Sequence, residues 1–196
     1  MKDPFQRLKR LIGRTIKRSF EIYYEHKFGI STRQRTVVAH ASRNADSTVL
    51  QPLSYVCLRR IAAFLKQHNF AGGVFIDIGC GTGRSMVFLA RLGFRRCIGV
   101  EIDSNFAEEA RANTAARGCE VICADATSYR FSGEETIIFM SNPFGPVTLR
   151  EVLSHIPHAP VIVYVNPSAD HLAELRRLGR GEPQVFDWNP TTAIVR

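Results

Sequence analysis

The residues most suited to binding a ligand lie where an apolar run meets closely spaced glycines. The run Val74–Ile78 has the composition of a buried strand, and a helical pattern begins after Gly83. The turn between them contains Gly79, Cys80, Gly81 and Gly83. Because glycine lacks a Cβ, such a turn can bend sharply and let a ligand approach the backbone. The order of strand, glycines and helix therefore predicts that this turn lines a cofactor.

The positions of two carboxylates indicate which class of cofactor the turn binds. Glu101 closes the next apolar run, where an acid commonly binds the two hydroxyls of a ribose. A dinucleotide site prefers the spacing G-x-G-x-x-G, whereas the glycines here follow G-x-G-x-G with Asp77 before them. A carboxylate at that point repels a pyrophosphate, but it can organise a ligand that carries an amino group. The pattern favours a nucleoside with an amino group over a dinucleotide.

Two further strand ends carry polar residues that should face the same crevice. Asp125 follows one predicted strand, and Ser141-Asn142-Pro143-Phe144-Gly145 follows the next. Ligands in open parallel sheets lie beyond the carboxyl ends of the strands, so we expect Asn142 and Phe144 beside a substrate. The alternative is that Asp125 and Asn142 are ordinary turn residues.

The order of these motifs resembles that of class I S-adenosylmethionine-dependent methyltransferases, from about Phe70 to Arg196. Asp77–Gly83 is similar to the family's first motif, and Glu101 is similar to its ribose-binding acid. The resemblance implies that the adenine is contacted by Ile102, Asp125 and Ala126. It also implies S-adenosylmethionine as the cofactor, no metal, and a displacement in which the acceptor attacks the sulfonium methyl group directly.

The Ser-Asn-Pro-Phe-Gly loop resembles the Asp/Asn/Ser-Pro-Pro-Tyr/Phe motif of amino-group methyltransferases. Either Ser141 takes the first position and Asn142 replaces a proline, or Asn142 comes first and one proline is missing. In that motif a side-chain oxygen and a backbone carbonyl accept hydrogen bonds from the target nitrogen, and an aromatic ring stacks nearby. The resemblance implies a catalytic group of Asn142, Pro143 and Phe144, in which Asn142 orients the acceptor and borders the cofactor. The loop is similar to that of a group of small bacterial methyltransferases, and the acceptor stays open between a protein, a nucleic acid and a small molecule.

Short apolar runs alternate with helical patterns from Val74 onward, which predicts a parallel sheet with helices on both faces. We predict strands at Val74–Ile78, Cys97–Glu101, Glu120–Cys123, Thr136–Met140 and Val161–Val165. Helices are predicted after Gly83 and from about Asn105, Val147 and Ala169. An antiparallel hairpin with the turn Asn189-Pro190 is expected from Gln184–Trp188 and Thr192–Val195. The expected fold is α/β, a doubly wound Rossmann-like sheet that is mostly parallel, with this C-terminal hairpin at one edge.

The first third of the chain differs in charge. Residues 1–72 hold 14 Lys and Arg against 4 Asp and Glu, a net charge of +10, whereas residues 73–196 hold 12 against 14, a net charge of −2. From Phe5 to Tyr23 apolar residues recur at helical spacing among basic ones, which predicts a basic amphipathic helix. The helix either packs on the domain, lies on an anionic membrane or steers a substrate. We predict a basic helical extension or lid, residues 1–72, before a methyltransferase domain, residues 73–196, and either an anionic partner or a solvated surface for the helix.

The segment after this helix gives weaker signals. A second helix is expected over Gln51–Gln67. Three arginines precede this second helix, Arg33, Arg35 and Arg43. They suit either phosphate contacts to a nucleic acid or a loop packed over the cofactor.

Composition excludes several classes of protein. With 45% hydrophobic and 22% charged residues, 196 residues should form one core. No apolar run reaches the roughly 18 residues of a spanning helix, so we expect a cytoplasmic protein, at most peripheral at an anionic surface. The five cysteines contain no Cys-x-x-Cys pair, which argues against a zinc site. Two other functions stay open, a nicotinamide-dependent oxidoreductase and a non-catalytic module that binds S-adenosylmethionine.

Overall fold

Seven strands form one sheet in the order β3-β2-β1-β4-β5-β7-β6 in the computed structural model, which describes residues 4–32, 52–70, 72–157, 160–188 and 190–196. The strands are β1 Val74–Ile78, β2 Arg96–Glu101, β3 Glu120–Cys123, β4 Glu135–Met140, β5 Val161–Val165, β6 Gln184–Phe186 and β7 Thr192–Val195. The first five are mutually parallel, and β7 is antiparallel to both β5 and β6. The predicted hairpin is therefore present, with β7 inside and β6 at the edge. The predicted residues outside the described ranges are Arg33, Arg35, Arg43, Gln51 and Asn189.

Six helices accompany the described strands. They are α1 Pro4–Phe28, α2 Tyr55–Gln67, α3 Arg84–Leu89, α4 Ser104–Thr114, α5 Pro146–Ser154 and α6 Ala169–Arg176. Two of them continue into single 3₁₀ turns, which cover Ala90–Leu92 and Ala115–Arg117. The start of α4 follows from local chemistry, because the Asp103 carboxylate accepts the N–H groups of Asn105 and Phe106 and so caps this helix.

The sheet is covered on both faces, as a doubly wound fold requires. In β1 the side chain of Phe75 packs in one apolar cluster with α2 and α3, while Ile76 and Ile78 pack in a second cluster with α5 and α6. Successive strand residues point to opposite faces, so burial on both sides produces the continuous apolar runs of these strands. Helix α2 shares the first cluster, so it belongs to the same core as the sheet.

The order of the strands reverses between β1 and β4, which are parallel neighbours with Ile78 beside Met140. Strands β2 and β3 lie on one side of this pair and β5 lies on the other. A crevice opens beyond the carboxyl ends of two such strands, because their connections leave in opposite directions. The glycine turn after β1 and the Ser141–Gly145 loop after β4 both begin at this point.

Candidate functional site

The glycine turn has the backbone that its sequence requires. Gly79, Gly81 and Gly83 all have positive φ, at +74°, +53° and +81°, where residues with a Cβ are strained. The N–H groups of Gly79 and Cys80 donate to the carbonyl of Val100 at 2.8 and 3.1 Å. Strand β2 therefore fixes the turn, and the predicted cofactor residues of the turn form one structural unit.

The Glu101 carboxylate links the end of β2 to this turn. Its Oε2 accepts the Gly81 N–H at 2.8 Å, and its Oε1 accepts the Asp103 N–H at 3.0 Å. Burial raises the pKa of Glu101, while these two hydrogen bonds act in the opposite direction. Each carboxylate oxygen has two lone pairs, so Glu101 keeps acceptor capacity for a hydroxyl group of a ligand.

Asp77 lies beneath the turn rather than on its surface. Its side chain is 1% exposed, and its Oδ2 accepts a hydrogen bond from the Ser85 hydroxyl of α3. Its Oδ1 is buried and has no hydrogen-bond partner among the described residues. Burial raises the pKa of Asp77 to about 7, with a further contribution from the charge of Glu101. Asp77 is thus a buried acceptor that a positive charge at the turn would stabilise in its ionised form.

The turn and the Ser141–Gly145 loop are in direct contact. A Cβ at Gly79 would overlap the Cβ of Pro143, so glycine is required both by φ and by the proximity of the loop. Asn142 adopts a left-handed conformation with φ of +49°. Asparagine tolerates this region better than most residues, and such strained positions cluster at functional sites. The structure therefore brings Gly79, Asn142 and Pro143 together, as the sequence predicted.

Two buried side chains that sequence reasoning did not assign hold this loop. The Tyr164 hydroxyl of β5 lies 3.3 Å from Asn142 Oδ1 and 3.4 Å from the carbonyl oxygen of Phe144. His171 Nδ1 accepts the Ser168 N–H at 3.1 Å, so its Nε2 carries the proton and donates to the same carbonyl at 3.1 Å. Only the periodic position of Tyr164 in an apolar strand signalled it, and His171 has no local signal beyond the capping position of α6.

Phe144 differs from its expected role. Its ring is 7% exposed and packs in the cluster of Leu149, Val152 and Tyr164. The expectation that this ring stacks on a substrate is not met in this structure, because the ring fills the core beneath the loop.

The predicted adenine contacts lie at the neighbouring ends of β2 and β3. The Ala124 N–H donates to the Glu101 carbonyl at 2.9 Å, which joins these two strand ends. Ile102 is 42% exposed and Ala126 is half-buried. Asp125 Oδ1 accepts hydrogen bonds from the N–H and hydroxyl of Thr127 at 2.9 and 2.8 Å, which is the geometry of a turn residue. The three residues therefore follow the neighbouring ends of β2 and β3, and Asp125 has the hydrogen bonds of a turn residue, which was its alternative role.

A buried arginine joins the N-terminal helices to the turn. Arg84 follows Gly83 directly and binds the carboxylates of Glu21 and Glu25 on α1. It also donates to the Thr32 and Leu53 carbonyls at 3.0 and 3.1 Å. The Arg84 side chain consequently helps to fix the N-terminal part of the chain beside the glycine turn.

Two further observations concern the described part of the chain. No group of His, Cys, Asp or Glu residues there could hold a metal ion. No helix in the described ranges is long and apolar enough to cross a membrane.

Comparison with known proteins agrees with this geometry. Residues 75–161 match the family model described as a methyltransferase domain. The ribosomal protein L11 methyltransferase of Dechloromonas aromatica is 31% identical over 102 residues, which are 50% of this chain and 33% of that protein. The corresponding protein of Aquifex aeolicus is 30% identical over 79 residues, which are 40% of this chain and 31% of that protein. The chain thus spans about a third of the length of these relatives.

A solved structure supports the fold. An RNA methyltransferase from Salinibacter ruber, in complex with S-adenosylhomocysteine, is similar with a TM-score of 0.57 at 19% identity, over 74% of this chain and 91% of that one. Residues 75–161 thus match a methyltransferase domain, and the strand order and the glycine turn agree with the fold of the class that uses S-adenosylmethionine.

The residues of the site fit the cofactor of this class. S-adenosylmethionine carries ribose hydroxyls, an adenine and a positively charged methionine part. Glu101 offers acceptor capacity, the glycines give the turn a backbone of positive φ that a ligand can approach closely, and Asp77 offers a buried carboxylate oxygen without a partner among the described residues.

Proposed function

We propose that the protein transfers a methyl group from S-adenosylmethionine to an acceptor held at the Ser141–Gly145 loop. The observation that carries this proposal is the contact of Gly79 with Pro143, which joins the glycine turn to the loop across the neighbouring strands β1 and β4. Direct displacement requires the acceptor atom and the methyl group to meet in line, so the elements that bind them must be adjacent.

In this proposal the cofactor lies along the turn. Bound S-adenosylmethionine supplies a methyl group on a sulfonium centre. Glu101 accepts the ribose hydroxyls, and Asp77 balances positive charge from beneath the turn. The turn residues Gly79, Cys80, Gly81 and Gly83 approach the ligand with their backbone. The adenine is bordered by Ile102, Asp125 and Ala126.

Asn142 orients the acceptor, and neighbouring residues hold Asn142 in position. The Tyr164 hydroxyl contacts Asn142 Oδ1 and restricts the orientation of the amide at the end of β4. Pro143 presents its backbone carbonyl beside Asn142, with nitrogen as the preferred acceptor atom. Phe144 contributes by fixing the loop through its buried ring and its hydrogen-bonded carbonyl, instead of stacking on the substrate.

The candidate acceptors are a protein, a nucleic acid and a small molecule. The relatives named as ribosomal protein L11 methyltransferases favour a protein acceptor. We further propose that residues 1–72 recruit or cover the acceptor, with an anionic partner for the basic helix, and that residues 73–196 carry out the transfer. The five free cysteines support a reducing, cytoplasmic location.

A labelling experiment tests the proposed transfer. The purified protein is incubated with S-adenosylmethionine that is tritiated in its methyl group and with the protein, nucleic-acid and small-molecule fractions of a cell extract. We expect label in one fraction with the wild type, and a loss of roughly 100-fold with Asn142→Ala, because a misplaced acceptor reacts slowly. The matched control is Gln184→Ala, an exposed amide at the far sheet edge, which should label normally.

Cofactor affinity, measured by calorimetry, distinguishes a wrong role for Asn142 from a protein that binds the cofactor without transferring its methyl group. Asn142→Ala should bind S-adenosylmethionine within about twofold of the wild type, because its proposed role is toward the acceptor. Labelling by Asn142→Ala at the wild-type rate would contradict the role of Asn142. Cofactor binding without labelling of any fraction would instead favour a non-catalytic module.

A further inference from the structure

Helix α1 packs on the domain mainly through aromatic residues near its C-terminal end, Phe20, Tyr24 and Phe28. Tyr24 is 9% exposed, and its ring lies 4.9 Å from that of Tyr55 and 5.1 Å from that of Phe88. In contrast, Ile12 and Ile16 are each 50% exposed and Tyr23 is 53% exposed. The predicted packing of the stripe on the domain is thus present only at the C-terminal end of the helix.

Helix geometry shows that the exposed residues form one face. At about 100° per residue, Ile12, Ile16 and Tyr23 project within about 40° of one another, whereas Tyr24 projects about 100° away from Tyr23. A mostly apolar surface depression is shared by Ile16, Phe20 and Tyr23. The part of the predicted stripe formed by Ile12, Ile16 and Tyr23 is therefore directed away from the domain core.

The charge of α1 is separated along its length. Between Pro4 and Phe20 the sequence has six basic residues and no acidic one. The two acids of the helix, Glu21 and Glu25, bind Arg84 on the domain. The exposed cations Arg14, Lys17 and Arg18 project on the side of the helix opposite Ile12. The outer part of α1 is accordingly apolar on one side and positively charged on the other.

We infer that the outer part of α1 docks on an anionic lipid surface. The partner must cover isoleucines and attract cations at the same time. A bilayer with acidic headgroups offers both properties, because the apolar face enters the interface while the basic residues meet the headgroups. A second copy of the helix would bring the same positive charges, and the backbone of a nucleic acid would leave the isoleucines in water.

Vesicle sedimentation of the full chain tests this assignment. Phosphatidylcholine vesicles are compared with vesicles in which part of that lipid is replaced by phosphatidylglycerol. We expect binding to the anionic vesicles only. Removing two charges should weaken this binding roughly tenfold or more, and removing the two isoleucines that would enter the lipid interface should do the same. The test variants are Lys17→Gln/Arg18→Gln and Ile12→Ser/Ile16→Ser.

Matched controls separate the helix from the general surface. The control for the charge variant is Lys66→Gln/Arg130→Gln, which removes one exposed lysine and one exposed arginine elsewhere on the protein. The control for the isoleucine variant is Val147→Ser/Val185→Ser, which removes two exposed valines. Both controls should bind within about twofold of the wild type. All changes are at exposed positions, and circular dichroism checks that helix content is retained.

Several results would overturn the inference. These are equal binding to neutral and anionic vesicles, binding that survives both α1 variants, and absence of binding to either vesicle. Binding to RNA or to an acidic protein without binding to vesicles would assign the helix to that partner instead. None of these outcomes depends on methyl transfer, so the inference and the proposed function can fail separately.

Discussion

Gly79 and Pro143 set how closely the cofactor turn approaches the acceptor loop. The left-handed φ of Gly79 would strain any other residue, and the Pro143 ring occupies the space that a Cβ would need. The two constraints have different consequences, because backbone strain lowers stability while a displaced loop changes the site. They can be separated by comparing two glycines.

We predict that Gly79→Ala weakens S-adenosylmethionine binding at least tenfold and lowers the free energy of unfolding by roughly 2 kcal/mol, from left-handed strain together with steric overlap. The control is Gly118→Ala, which has φ of +64° and nothing within 4 Å of the added Cβ. It should lose about 1 kcal/mol and keep its affinity. Calorimetry and urea unfolding measure the two quantities. Equal affinity losses in both variants would show that the contact with Pro143 does not matter.

The residue scale also shows where sequence reasoning ends. Glycine spacing and strand-end acids located Gly79 and Glu101, because both requirements are local in the chain. The hydrogen bonds of Tyr164 to the loop cross 20 and 22 residues, and only the fold brings these atoms together. Likewise, the Phe144 ring lies in the core because it packs against α5, and this packing cannot be predicted from the sequence of the loop.

At the scale of elements, Arg84 is the link between α1 and the methyltransferase domain. It is a buried cation with two carboxylate partners, Glu21 and Glu25, and its guanidinium lies 4.8 Å from the centroid of the Tyr55 ring. Removing one member of such a cluster leaves the others buried and unpaired, which costs much more than the loss of an exposed ion pair.

We predict that Arg84→Gln lowers the free energy of unfolding in urea by about 3 kcal/mol or more, because Glu21 and Glu25 lose their cation. The control is Arg95→Gln, which breaks the exposed pair with Glu134 and should lose at most about 1 kcal/mol. A similar small loss in both variants would mean that Arg84 does not hold α1.

The elements themselves were well predicted. The bounds of β1, β3, β5 and β7 are confirmed as predicted. Strands β1, β5 and β7 are buried along their whole length, which favours continuous apolar runs, whereas β3 is a short run that is only partly buried. The docked face of α1 could not be predicted, since its amphipathic pattern indicates an apolar side without naming the partner. The pairing of Arg84 with Glu25, 59 residues away, selects the face that meets the domain.

At the scale of the whole molecule, the excess positive charge and the candidate site belong to different parts of the chain. The net charge of +10 lies in residues 1–72, while the crevice at the β1 and β4 ends belongs to the nearly balanced remainder. Arg84 joins these parts beside the glycine turn. The division suits a protein in which one end meets an anionic surface and the sheet binds the nucleotide.

The most direct test of the central claim is a calorimetric titration of the purified protein with S-adenosylmethionine, S-adenosylhomocysteine and NAD. It is repeated on Glu101→Ala and on the control Glu134→Ala, an exposed acid that is paired with Arg95. We predict that both sulfur nucleotides bind and NAD does not. Glu101→Ala should weaken binding at least tenfold, because the ribose hydroxyls lose their charged acceptor, while Glu134→Ala leaves it unchanged. Binding of NAD alone, or full affinity in Glu101→Ala, would contradict the cofactor site described for this protein.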